Sequence, residues 1–286
     1  MATVSIVLPT YNRAHTLQQS IRSILEQTHK DFELIIVDDG SSDTTQEVLT
    51  SFSDPRIRII RHDKNRGVAE ARNTGVRAAR YPYIAFQDSD DEWLPHHLEK
   101  LLQALEQSPQ HTGIAYSAFY REDSHGRQKL IPGKHEQKFE GDLSSALLKN
   151  NFVTLQASLV RKECFEKTGF FDSTLKILDD WEWLIRVSEH FLFAFVGEPL
   201  TIAHYTPGNL TSQKETRMRD REILLESLEQ RFRKYPSAYA KLARMIGTAK
   251  LSAGNRIVAR MYLKKACQAH PLNIQTWWYI IKTFFA

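Results

Sequence analysis

Four short apolar runs, each closed by a polar cluster, constrain the first 120 residues more than any other feature of the chain. VSIVLP (4–9), FELIIVDD (32–39), RIRIIRH (56–62) and YIAFQD (83–88) are rich in β-branched and other apolar residues, and GIAYSAF (113–119) follows as a fifth run. Between them apolar residues recur at helical spacing. Leu17, Ile21, Ile24 and Leu25 follow the first run, and Val48 and Leu49 the second. An Ala-rich stretch covers 68–79, and Leu98, Leu101, Leu102 and Leu105 follow the fourth run. Asp43 in DTTQ reads as a helix N-cap, with Gln46 at the capping-box position. Apolar strands separated by helices predict an α/β fold with a mostly parallel sheet covered on both faces. Ligands of such sheets bind beyond the carboxyl ends of the strands. Here those ends read PTYNR, DDGSSD, RHDKNRG and QDSDDE, so polar chemistry collects on one edge.

FQDSDDE (86–92) is the most acidic of these ends. Carboxylates so close raise one another's pKa unless solvent or a cation neutralises them. Taken alone, DSDD reads as an acidic loop capping the helix that begins near Pro95. Beside a second aspartate-rich strand end it reads as a site. The formal net charge of +4 comes without a dominant Lys/Arg block, so no nucleic-acid partner is expected. Cys164 and Cys267 stand far apart and form no metal or disulfide pattern. The first residues lack a basic stretch followed by an apolar core, and no apolar run approaches the roughly 20 residues of a membrane helix. The expected location is cytoplasmic, with peripheral contact at the inner face of a membrane open to the apolar tail TWWYIIKTFF.

The middle of the chain suggests a hairpin around SHGR (124–127), a helix near 142–150, a strand at QASLV (156–160), and GFFD (169–172) ahead of LDDWEWLIRVSEH (178–190). A further strand, FAFVGEPLTIAHY, precedes PGNLTS (207–212). From there the pattern is helical, and ARMYLKKACQAHPLNIQTWW resembles part of a tetratricopeptide repeat. The division expected is therefore a catalytic-type domain over 1–212 and a helical extension over 213–286, the latter available for a protein partner or for homo-oligomer formation.

In their order and spacing, VSIVLPTYNR, IIVDDGSSD, NRGVAEARNTG and YIAFQDSDDEWLP resemble the family 2 glycosyltransferases of the GT-A (Rossmann-like) fold, and GFFD with DDWEWLIR is similar to that family's later motifs. The likeness covers about residues 4–212. It implies an inverting, metal-dependent enzyme that moves a sugar from a nucleotide-sugar donor, most naturally a UDP-sugar, to a saccharide or lipid-linked acceptor in polysaccharide, glycolipid or cell-surface glycan synthesis. A catalytically inactive nucleotide-sugar binder or scaffold working through the tail is the alternative.

The resemblance assigns roles residue by residue. Asp90 is the first metal ligand. Asp88 is the second, or else a ribose contact, in a DXD motif with Ser89 between them, and the oxygen donors suit Mg²⁺ or Mn²⁺. Pro9, Thr10, Tyr11, Asn12 and Arg13 line the donor, with Tyr11 able to stack on a base or simply to pack. Asp39 inherits the uracil or ribose contact, while Asp38, Gly40 and Ser41 suffice for a turn. Gly67 permits close backbone approach. Arg72 and Asn73 begin a helix face near the donor, although Arg72 could equally form a surface ion pair. Asp180 is the candidate base, and Asp179 stands where the family usually has glutamate. Trp181 either stacks on an acceptor sugar or joins the core, and Trp183 belongs to the core. His204, in AHYT, stands where the family often has arginine near the diphosphate, and with Trp181 and Asp179 it is a candidate acceptor contact. Asp91 and Glu92 are expected to be the cap and the solvated edge.

Overall fold

The structure is a computed structural model that describes residues 3–133, 139–207 and 213–285. The chain divides into two compact units, one of residues 1–147, 151–174 and 179–208, the other of residues 148–150, 175–178 and 209–286. The boundary expected at 212 lies outside the described residues, as does most of PGNLTS.

The first unit opens with β1 (Val4–Thr10), α1 (Leu17–Leu25), β2 (Phe32–Asp38), α2 (Thr45–Thr50), β3 (Ile57–Arg61), α3 (Val68–Ala78) and β4 (Tyr83–Phe86). There follow β5 (Glu92–Trp93), α4 (His97–Gln107), the hairpin β6 (Thr112–Glu122) and β7 (Gln128–Ile131), and α5 (Ser144–Lys149), which runs into the second unit. β8 (Ser158–Arg161), α6 (Glu163–Thr168), α7 (Asp179–Val187) and β9 (Leu192–Ala203) complete it. Among the described residues the strands form one sheet in the order β3-β2-β1-β4-β8-β6-β9-β5, with β7 beside β6.

Pairing from β3 through β4 is parallel, as the apolar runs require. The sheet is nevertheless mixed: β8 enters antiparallel between β4 and β6, and β5 and β7 also pair antiparallel. Two antiparallel steps restore direction, so β6 and its parallel neighbour β9 run the same way as β4. The carboxyl ends of β1, β2, β3, β4, β6 and β9 therefore share one edge.

Alternation along each strand sorts its side chains between two helical layers. Val4, Ile6 and Leu8 of β1 and Leu34 and Ile36 of β2 pack with Leu17, Ile21 and Ile24 of α1 and Leu98, Leu101 and Leu105 of α4. Val7 faces the other way, where a Cβ at Gly75 of α3 would lie 2.3 Å from its Cγ1. α3 approaches β1 that closely because residue 75 has no side chain. Pro9, within β1, needs no partner for its missing N–H on the β4 side, since that pairing ends at Val7–Phe86.

The capping box at α2 does not form. The helix begins at Thr45, Thr44 makes no side-chain cap, and Gln46 reaches Arg61 instead. The two Asp43 carboxylate oxygens accept from Thr45 N and Ala14 N, tying the loop after β2 to the loop after β1.

The second unit contains α8 (Lys214–Ser227), α9 (Glu229–Arg233), α10 (Pro236–Ser252), α11 (Arg256–Ala269) and α12 (Ile274–Phe285). Leu224, Leu228, Phe232, Leu242, Ile246, Tyr262 and Leu263 are buried in it. α10 and α11 touch at Gly247, where a Cβ would meet Leu263 Cγ at 2.8 Å. Buried Asp220 accepts through Oδ2 from the backbone N–H groups of Lys176, Ile177 and Leu178. No helix among the described residues is long and apolar enough to cross a membrane.

Candidate active site

Three loops at the shared edge are laced together before any ligand is considered. Asn12 adopts φ 51°, the left-handed region that asparagine tolerates. Its N–H donates to Ser41 Oγ at 2.9 Å and its Oδ1 accepts from Ser42 N at 2.8 Å. Asp38 closes the turn by accepting from Ser41 N. Gly40, at φ +76°, lies so near Lys64 that a Cβ would stand 2.8 Å from that residue's carbonyl carbon. Asp39 is buried and holds the third loop: Oδ1 accepts from Arg66 N at 2.9 Å and Oδ2 from Gly67 N at 2.8 Å. His62 Nδ1 lies 2.7 Å from Asp39 Oδ1, while its Nε2 meets Thr74 Oγ1 at 3.0 Å. Asn12 and Asp39, read from the sequence as donor contacts, are thus engaged in shaping the edge. His62 was missed, although it ends the third apolar run and the strand-end rule could have found it.

Two further donor candidates stand at the end of β1 and just after it. Tyr11 is 42% exposed, so its ring offers an open face. Thr10 is buried, and its hydroxyl finds no hydrogen-bond partner.

The acidic loop after β4 is held by its neighbours. Ser20 Oγ donates to the Asp88 carbonyl at 2.9 Å, and Gln87 Nε2 to the Asp91 carbonyl at 2.8 Å. Ser89 is buried in between. Asp90 lies 3.6 Å from Arg13 Nη2, and burial followed by the charge of Asp88 raises its pKa. Asp91 is not a solvated cap. It is buried, accepts from His204 N, and is driven well above the usual carboxylate range by burial and by Asp88 and Asp90. It can sit there because a protonated carboxyl loses little by leaving water. His204 stands between two carboxylates: Nδ1 is 2.7 Å from Glu122 and Nε2 3.3 Å from Glu92.

Arg72 joins this loop to the second acidic motif. It is buried on α3, where Nη2 donates to Asp88 Oδ1 at 2.9 Å and Nη1 to Asp179 Oδ2 at 2.8 Å. Its Nε has no partner. The two carboxylates raise its pKa against the effect of burial. A surface ion pair is excluded. Asn73 clamps Phe171, donating to its carbonyl at 2.9 Å and accepting its N–H at 3.0 Å.

At the start of α7 the adjacent carboxylates differ. Asp179 is buried and committed to Arg72, with burial raising its pKa. Asp180 keeps some solvent contact, accepts from Trp181 N at 2.6 Å, and is pushed up to about 7 by burial and by the charge of Asp179. Trp181 is buried with its indole N–H on the Leu147 carbonyl, which makes it a wall rather than an exposed platform. Trp183 is core, stacked on Phe165 at 4.3 Å. Arg186 completes the motif by pairing with Glu182 at 2.8 Å.

Among the described residues no three His, Cys, Asp or Glu side chains form a metal cage. Asp88 and Asp90, the latter raised in pKa by burial and then by the charge of Asp88, nevertheless offer carboxylate oxygens that suit a hard cation. Mg²⁺-type ions take one or two carboxylates and complete their shell with water and substrate phosphates.

Comparison with known proteins places this geometry in context. The sequence profile described as glycosyl transferase family 2 matches residues 5–169. A glycosyltransferase of Haemophilus influenzae is 32% identical over 200 residues, 69% of this chain and 67% of that protein. The Escherichia coli UDP-Glc:alpha-D-GlcNAc-diphosphoundecaprenol beta-1,3-glucosyltransferase WfgD is 46% identical over 102 residues, 36% of this chain and 40% of its own length. Among solved structures, S. aureus TarS superposes with a TM-score of 0.70 at 16% identity, covering 99% of this chain and 54% of TarS. A TarS 1-349 structure in complex with UDP-GlcNAc gives 0.63, also at 16% identity, covering 99% and 79%. The match thus takes in less than two thirds of WfgD and of the longer TarS chain, and the structural likeness establishes the fold.

Proposed function

The chain belongs to glycosyl transferase family 2, and from that premise we propose that it transfers a sugar from a UDP-sugar to a hydroxyl of a saccharide or lipid-linked saccharide, with inversion at the anomeric carbon. The observation that carries the proposal is the Arg72 bridge. One buried guanidinium holds both Asp88 and Asp179, residues 91 positions apart in the sequence, at the edge where parallel strands end. The UDP donor and lipid-linked acceptor are supported by the name of WfgD, and the donor class by the ligand bound to TarS.

Asp179 is locked on Arg72, which leaves Asp180 to accept the proton of the acceptor hydroxyl. With its pKa near 7, Asp180 is about half ionised at neutral pH and basic enough to accept a proton there. The acceptor oxygen attacks the anomeric carbon as the bond to the diphosphate breaks on the opposite face. Tyr11 offers a ring face to the base, and Arg13 and Arg72 set positive charge beside the acidic loop. Asp90 with Asp88 would hold Mg²⁺ or Mn²⁺, which supplies charge neutralisation for the leaving diphosphate.

The test measures UDP release and glycosylated product from UDP-sugars and lipid-linked or free saccharides with Mn²⁺ present. Asp180→Asn should lose roughly 10²–10⁴-fold in turnover while keeping the thermal stabilisation produced by donor. Stabilisation by donor with no turnover in the unmodified protein would favour the inactive binder instead. Neither turnover nor stabilisation would remove the donor site altogether.

A further inference from the structure

The last helix is amphipathic in the reverse sense. α12 turns Thr276 and Thr283, both essentially fully buried, toward the second unit, while Ile274, Trp277, Trp278, Ile281 and Phe284 lie 82%, 49%, 49%, 54% and 60% exposed. Ile274, Trp278 and Ile281 follow the i, i+4, i+7 spacing of a single helix face. A helix placed only to complete a core would bury these side chains and expose its threonines.

Charge indicates what covers this face. From Gln230 to Ala286 the chain has eleven Lys and Arg and no Asp or Glu. Residues 213–286 contain fifteen basic and five acidic residues, whereas residues 1–212 contain twenty-three and twenty-nine. The cations border the apolar stripe. Lys282 Nζ sits 3.6 Å from the centre of the Trp278 ring, and the Arg260 guanidinium 4.0 Å from that of Phe284. Arg260 is fixed there by bonds to the side-chain and backbone oxygens of Thr283. Arg256 and Lys264 continue the basic row along α11 at four-residue intervals and are exposed. A second copy laid on the stripe would bring two acid-free segments together, which like-charge repulsion disfavours. An anionic lipid surface answers both properties, since tryptophan and aliphatic side chains enter the headgroup–acyl boundary while flanking Lys and Arg meet lipid phosphates.

We propose that the outward face of α12, with the basic row of α11 beside it, docks the protein on an anionic phospholipid surface. This goes beyond the transfer reaction and does not depend on it. The experiment is flotation of the full chain with vesicles of phosphatidylcholine alone or mixed with phosphatidylglycerol, across a salt series. Binding at least tenfold stronger to the anionic vesicles is expected. The Trp278→Ser/Ile281→Ser variant should lose about tenfold or more, and Arg256→Glu/Lys264→Glu should lose the preference for anionic lipid. All four positions are exposed, so the thermal transition should stay unchanged. No binding to anionic vesicles, equal binding to both vesicle types, or full binding by the Ser variant each overturns the proposal. A dimer in light scattering that the Ser variant dissolves, without vesicle binding, would assign the face to a second copy.

Discussion

Replacing Asp180 by asparagine should stabilise the folded protein at alkaline pH while removing its proposed function. The folded-state pKa of Asp180 is about 7 against an ordinary 3.8. The raised value means that the native state holds its proton more tightly than the unfolded chain. Below about pH 4 both states are protonated and no penalty exists. As pH rises from about 4 to 7, the unfolded chain releases a proton that the native state still keeps, and stability is lost until the native carboxyl also ionises. At about 1.4 kcal/mol per pH unit the full loss is at most about 4 kcal/mol. The remaining solvent contact of Asp180 reduces this to about 2 kcal/mol. Asparagine keeps the shape and still accepts the Trp181 N–H without ever ionising. Urea unfolding of both proteins, without nucleotide and with chelator present, should give nearly equal free energies at about pH 3, below the ordinary carboxylate pKa. An advantage of about 2 kcal/mol for Asp180→Asn should appear by pH 8. A difference independent of pH, or a variant less stable at pH 8, would refute the assignment of a buried, raised carboxyl to this position.

The same group sets the pH dependence of transfer: kcat/KM should rise about tenfold per pH unit below about 7 and level off above it, as expected for a base ionising at about 7. Arg72→Ala strips buried Asp179 of its partner and should cost about 3 kcal/mol in urea unfolding. Arg72→Lys keeps the charge, yet its single ammonium cannot fork between two carboxylates, so turnover should fall with a smaller loss of stability. Asp90→Asn should abolish the Mn²⁺-dependent part of the thermal shift produced by UDP while leaving the unliganded melting point equal or higher, because a raised carboxyl has been neutralised. Gly75→Ala drives a Cβ into Val7 and should destabilise the sheet–helix contact by about 1–3 kcal/mol, read by chemical unfolding.

Local pattern alone determined a large part of this protein. Apolar runs such as VSIVLP and FELIIV place strands and their polar ends mark a candidate ligand edge, because side-chain periodicity and turn chemistry are properties of neighbours in sequence, while the resemblance of DSD and DDWEWLIR to family motifs singled out the candidate carboxylates. What tertiary structure decided concerns residues distant in the chain. The antiparallel insertion of β8 follows from a return path that a short strand does not reveal. The burial of Asp91, the enclosure of His204 between two glutamates and the clamp of Asn73 on Phe171 each depend on a partner about a hundred residues away, or on packing that removes water. Arg72 shows the division most directly. Its charge is plain in NRGVAEARNTG, but burial between Asp88 and Asp179 turns that charge from a surface feature into the joint of the site. The ionisation of Asp180 near neutral pH follows, since a carboxylate's pKa is set by the solvent and charges around it and not by its place in the chain.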